Sequence, residues 1–332
     1  MLWTGLDVSK DTINFAIPNP KKEGIFLRNG RINNNLKGFN LLEKQLLDLG
    51  VKMNIACETT GIYSFPVMDY FSSRGWHANE IHAWSIAKYK QTVLQRNKTD
   101  KVDAKEISDY CSRYEDKLKT PYKSRTNELV ELGLLMRMKV QLDKRDRAFK
   151  NIQEAYNFIG EERVENLKLD FASKGLEALV TENEKYKKNF KKGINDFVTQ
   201  YFPEQYRVLD TIKGIGDGTI PALIYYTNNF TRFNNGRDFG AYCGVVPNFY
   251  ESGTSVRGKS KVANKAICNN ALRVQMTQAA GIAMRYNKQC KELVSRLPHL
   301  AYKQQLLAVT RKLCIQTYFC GSKLIEYDDS KS

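Results

Sequence analysis

The chain has 332 residues, 42% of them hydrophobic, which allows two or three domains with real cores and excludes a disordered chain. Lysine and arginine outnumber aspartate and glutamate by 52 to 36, a formal net charge of +16 that favours a polyanionic partner, nucleic acid before a membrane surface. Three histidines, and seven cysteines with no C-x-x-C pair, argue against zinc chemistry, histidine nucleases and a disulfide frame. No apolar run reaches transmembrane length, so a soluble, cytoplasmic protein with no membrane partner is expected.

The first 83 residues alternate strand and helix signals. Leu2 to Val8 reads as a strand, Thr12 to Ile17 as its hairpin partner, and Ile25 to Ile32 as a third strand after the turn-formers Pro18, Pro20 and Gly24. Leu36, Phe39, Leu42, Leu46 and Leu49 follow helical spacing until Gly50. Met53 to Cys57 is a short buried strand, Tyr63 to Phe71 a helix, and Trp76 to Ile81 another strand. Three strands, helix, strand, helix, strand is the order of a ribonuclease H-like α/β fold.

Between Pro121 and Pro203 there is no proline, and apolar residues recur near helical period with Lys and Arg between them. Long helices are expected there, packed on one another or on a second copy of the chain. The last third opens with Ile212-Lys213-Gly214-Ile215-Gly216-Asp217-Gly218-Thr219, a glycine-rich turn between two helices that resembles a helix-hairpin-helix element. Glycines also serve as ordinary helix stops. Phe233 to Val246 reads as helical or mixed, and Val262 to Met284 as a helix. The expected organisation is residues 1–122, 123–203 and 204–328: an α/β domain, a long-helix segment and a mainly helical domain.

Four acidic residues stand out. Asp7 and Glu58 each close an apolar strand run, while Asp100 and Asp103 open a helix three residues apart, on one face. Each has a plain alternative: Asp100 and Asp103 as a capping box, Asp7 as a turn cap, Glu58 as a surface charge. Taken together on this strand order they form an oxygen ligand set for Mg²⁺, and in so basic a chain that points to phosphodiester chemistry. A second segment, Tyr250 to Lys261, interleaves Ser252, Gly253, Thr254 and Ser255 with Arg257, Lys259 and Lys261, which suits a loop against phosphate. Composition alone favours a plain basic loop that only touches the nucleic-acid backbone. A metal-dependent junction nuclease and a nucleic-acid-binding protein with structural carboxylates both fit these residues.

The chain resembles the transposases and site-specific recombinases of the IS110 insertion-sequence family, which include the pilin-gene inversion recombinases. The resemblance runs over nearly the whole length. It rests on Gly5-Leu6-Asp7-Val8-Ser9-Lys10, Glu58-Thr59-Thr60-Gly61-Ile62-Tyr63, Lys98-Thr99-Asp100-Lys101-Val102-Asp103-Ala104, Gly214-Ile215-Gly216, Tyr242-Cys243-Gly244-Val245-Val246-Pro247, Ser252-Gly253 and Leu272-Arg273. It implies a RuvC-like domain whose carboxylates Asp7, Glu58, Asp100 and Asp103 bind Mg²⁺. It also implies a C-terminal transposase domain with Ser252 as nucleophile, and a phosphoserine–DNA intermediate. Further implications are donor and target DNA as partners, a homodimer or homotetramer in synapsis, a nucleoid-associated location and, as in several members, a bridge RNA. Lys213, Gly214, Gly216, Arg257, Lys259, Lys261 and Arg273 are the expected nucleic-acid contacts. Members carry a Lys-x-Gly-Asn-like turn before the Leu-Arg pair, whereas this chain has Lys265-Ala266-Ile267-Cys268-Asn269-Asn270, so Arg273 rather than Lys265 is carried over.

Overall fold

Strand β1 (Leu2–Val8) organises the N-terminal half, because Trp3, Thr4, Gly5 and Leu6 are buried in succession and only a central strand covers both faces of a sheet. The computed structural model describes residues 1–22, 24–59, 61–92, 100–118, 121–162, 170–248, 261–262 and 268–329, and the chain divides into two units, Met1–Arg125 and Thr126–Ser332.

In the first unit β1 pairs antiparallel with β2 (Thr12–Pro18), and β2 with β3 (Phe26–Asn33). On the other side β1 runs parallel to β4 (Met53–Glu58), and β4 parallel to β5 (Ala78–Ile81). The five-stranded order among the described residues is β3-β2-β1-β4-β5, as the sequence order implies. Parallel neighbours require crossover helices, which α1 (Leu36–Leu47) and α2 (Phe65–Ser73) supply. Asn35 caps α1, its side chain accepting a 3.0 Å hydrogen bond from the Gly38 amide. One sheet face, with Leu6, Val8, Ile13 and Phe15, packs on Phe39, Leu42, Val67 and Phe71 of these two helices. The other face carries Trp3, Ala56 and Ile81. It packs on Ile86 of α3 (Ala83–Thr92) and on Ile107 and Cys111 of α4 (Asp100–Arg113).

The second unit is built on two long helices, α5 (Asn127–Glu162) and α6 (Asp170–Tyr201). They run antiparallel, since Asp143 meets Lys187 while Lys150 meets Glu184. The middle of this pair is zipped by polar groups: buried Asp146 accepts from Lys187 at 2.9 Å and from Asn183 at 3.2 Å. The open end of the pair joins a helical core. Leu129, Leu132, Met136, Ile194 and Val198 pack with α7 (Pro203–Asp210), α8 (Ile220–Tyr226) and α9 (Gly236–Tyr242). The same core takes in α10 (Asn270–Tyr286), α11 (Lys288–Ser295) and α12 (Tyr302–Lys323).

One expectation is corrected here. Val262 does not begin a helix; it pairs with Pro247 in a short antiparallel ladder of β6 (Pro247–Asn248) and β7 (Lys261–Val262). The helix starts at Asn270, because the Asn269 side chain accepts from the Leu272 amide at 3.0 Å and fixes the first turn there.

Candidate functional site

The sheet register decides where the N-terminal carboxylates meet. Parallel pairing brings Gly5 beside Ala56 and Leu6 beside Cys57, so Asp7 and Glu58 are the next residues on adjacent strands. Residues paired in a parallel ladder share a face, and neighbouring strands lie about 4.8 Å apart. Gly5, Ala56, Asp7 and Glu58 therefore all point to the side covered by α4. Asp7 and Glu58 are both half-buried there.

Gly5 fixes the position of α4. A Cβ at residue 5 would overlap the Ala104 carbonyl oxygen and crowd the Ser108 amide, so only glycine lets the helix lie this close. Ser108 Oγ then donates to the Trp3 carbonyl at 2.5 Å. Moving up β1 from Trp3 to Gly5 moves back along α4 from Ser108 to Ala104. Two more strand residues, about 6.6 Å, correspond to roughly four helical residues, which sets Asp7 level with the Asp100–Asp103 turn. By this spacing the ends of β1 and β4 lie toward the same end of the unit as the start of α4.

Asp100 begins α4, but its side chain lies outside the described residues. Asp103 is engaged by the Lys90 ammonium of α3 at 2.7 Å, and that ammonium also lies 3.2 Å from Glu106. Burial pushes the Glu106 carboxyl above its usual range, against the pull of Lys90. Among the described residues no three His, Cys, Asp or Glu side chains are close enough to hold an ion together. The donor chemistry of Asp7 and Glu58 nevertheless suits a hard cation, since two carboxylates stand on adjacent strands at the same end of the ladder. Lys90 and Glu106 were not singled out from the sequence. Glu106 follows Asp103 by the same three-residue step that links Asp100 to Asp103, which was a usable signal.

In the second unit Gly214 and Gly216 line a groove of about 1330 Å³. Gly214 has φ +109°, and a Cβ there would crowd the Ala279 carbonyl oxygen and Ala283 on α10, so the turn is pressed onto that helix. Gly216 and Gly218 face open space, leaving their backbone approachable. Tyr206 donates to Asp217 in the same turn at 2.6 Å, and that bond with burial pushes the phenol up to about 12. The facing wall comes from α5 and α6, where Lys144, Arg147, Lys188 and Lys191 are exposed cations. Val274, Gln275 and Ile282 of α10 also line the groove.

The remaining expected contacts fall elsewhere. Lys213 is exposed next to the glycine turn, and Arg273 is half-buried on α10 near Gly244. Ser252, Arg257 and Lys259 lie outside the described residues, as does the side chain of Lys261.

Two family models match the chain. A transposase family of DEDD type covers residues 4–156, and a family described as Transposase IS116/IS110/IS902 covers residues 206–295. No curated protein matches the chain.

Proposed function

The chain belongs to the IS116/IS110/IS902 family of transposases and is an enzyme acting on DNA; from that premise we propose that it cuts and rejoins strands through a phosphoserine–DNA intermediate. The observation that carries the reading is the register that sets Asp7 beside Glu58, level with the first turn of α4. In this reading residues 1–122 form a RuvC-like domain, 123–203 a long-helix segment and 204–328 the transposase domain with a helix-hairpin-helix-like turn.

Asp7, Glu58, Asp100 and Asp103 would hold Mg²⁺, which supplies Lewis-acid stabilisation of charge developing on the transferred phosphoryl group. The Ser252 oxygen bonds to phosphorus, the bond to the departing sugar oxygen breaks, and that oxygen leaves with the proton the serine gives up. Strand exchange reverses the step with a different sugar hydroxyl, so no outside energy source is needed. Gly253 lets the DNA backbone approach the serine. Arg257, Lys259, Lys261 and Arg273 offset phosphate charge, and the glycine turn with Lys213 binds the backbone without reading bases.

Sequence choice then rests with a bridge RNA pairing to donor and target DNA, as in guided recognition where the protein reads backbone shape. Synapsis uses two or four copies. Leu134, Met138, Ile152 and Ile159 are exposed along one side of α5 by helical spacing and offer an apolar stripe for that assembly. No described helix is long and apolar enough to cross a membrane.

The test is a denaturing gel of the protein incubated with its element's end, Mg²⁺ and candidate RNA. Ser252→Ala should abolish the covalent protein–DNA adduct while Ser255→Ala retains it. Free cut ends without an adduct would make the enzyme a nuclease, and an adduct mapped to Ser255 or Tyr250 would replace the nucleophile.

A further inference from the structure

Lys90 is a cation placed at the acidic end of a domain that, in the reading above, must accept another cation. It reaches from α3 to α4 and lies 2.7 Å from Asp103 Oδ1 and 3.2 Å from Glu106 Oε2. The three side chains are 24%, 19% and 10% exposed for Lys90, Asp103 and Glu106 respectively, so bulk water screens the triad weakly. Neither Glu106 oxygen has a hydrogen-bond partner of good geometry among the described residues, which leaves the Lys90 ammonium to answer its charge.

Resting on the reading of Asp103 as a metal ligand, we infer that Lys90 is the resident counter-ion of this carboxylate end. It is a positioning residue that occupies Asp103 in the metal-free protein, yields it to a divalent cation, and is then retained by Glu106. Two effects of Lys90 on the cation compete. Orienting the Asp103 carboxylate favours binding, as hydrogen bonds to ligating groups do. Placing an ammonium a few ångströms from a doubly charged ion opposes it, and in a partly buried setting this repulsion is the larger of the two. Removing Lys90 also leaves the Glu106 charge unanswered, which adds to the attraction. Competition wins over orientation.

The two partners therefore have opposite signs, which a merely structural bridge would not produce. The full-length protein without DNA, titrated with Mn²⁺ as the probe and followed by the electron paramagnetic resonance signal of free Mn²⁺, reads them directly. Lys90→Met should tighten Mn²⁺ binding by about tenfold, as relief of ammonium–cation repulsion. Glu106→Gln should weaken it, because Lys90 then has Asp103 alone and holds it harder. In an Asp103→Asn background Lys90→Met should give no gain. Lys90→Gln, which keeps a donor without the charge, serves where the methionine variant melts early. Unchanged or weaker binding in both Lys90 variants would overturn the inference. Wild-type Mn²⁺ affinity in Asp103→Asn would instead remove the metal reading itself, and this inference with it.

Discussion

The carboxylate end of the first unit and the basic groove of the second place charge by different means. In the first, backbone register does the work: Asp7 and Glu58 follow the Leu6–Cys57 pairing, and the α4 turn is held level with them by Gly5. A shift of one residue in either strand would turn its carboxylate to the opposite face. In the second, Lys144, Arg147, Lys188 and Lys191 are long, exposed side chains spread over two helices facing a glycine turn. Their positive field varies little when any one of them moves. The first region is thus intolerant of single changes and the second is tolerant, and substitutions should separate the two.

The largest effects belong to the carboxylates. Asp7→Asn, Glu58→Gln and Asp103→Asn should each lower strand exchange by about 10³-fold or more, since the cation they would hold offsets charge that develops only in the transition state. Unfolding temperature in the absence of metal should stay the same or rise for Asp7→Asn and Glu58→Gln, because removing one of two neighbouring like charges relieves repulsion, and fall for Asp103→Asn, which loses its ion pair with Lys90. Full recombination by Asp103→Asn, measured on a plasmid substrate, would break the assignment.

Next comes Gly5→Val, which touches no ligand. The added side chain must push α4 away from β1, at a cost of about 1–3 kcal/mol in stability as an overpacked contact. Activity should fall further than stability does, since misplacement by about 1 Å can cost on the order of 10²-fold. Activity tracking stability alone would mean that the helix position does not set the chemistry.

A smaller effect is expected where the α5–α6 pair is zipped. The hydrogen bond from Lys187, chiefly, holds the Asp146 carboxyl below its ordinary range, against burial. A depressed pKa adds stability above the unfolded value and loses it as pH falls through the folded value. The long-helix pair should therefore loosen below the ordinary aspartate range, and Asp146→Ala should cost about 1 kcal/mol at pH 7 and remove that acid dependence. Helical circular dichroism against pH for both proteins checks this.

Single groove substitutions should be smallest. Lys144→Ala, Arg147→Ala, Lys188→Ala or Lys191→Ala should each reduce the slope of log affinity against log salt by about one unit, with little dependence on DNA sequence. No change in slope for any of the four would place nucleic acid outside the groove.

The contrast also explains what could be read from the sequence. Apolar runs closed by Asp7 and Glu58 announce strands with carboxylates at their ends, and the strand–helix order gives the sheet. The pairing of Asp103 with Lys90 was not legible, because α3 buries only Ile86 and Tyr89 and shows no clear apolar stripe. Val262 read as helical because an apolar spacing continues into α10, while the Asn269 cap that starts the helix is a local hydrogen bond. Lysines and arginines on the long helices are visible in the sequence. Which of them face the glycine turn depends on packing, such as Gly133 lying against the Tyr225 ring.

The central claim, that strand ends and helix start share one cation, is open to a direct measurement. The full-length protein loaded with Fe²⁺ in place of Mg²⁺ and treated with ascorbate and peroxide generates radicals that cut the backbone near the bound ion. The predicted cuts fall beside Asp7, beside Glu58 and within Asp100–Asp103, fade with excess Mg²⁺, and vanish in Asp7→Asn. Cuts confined to other segments, or the same cuts persisting in Asp7→Asn, would contradict it.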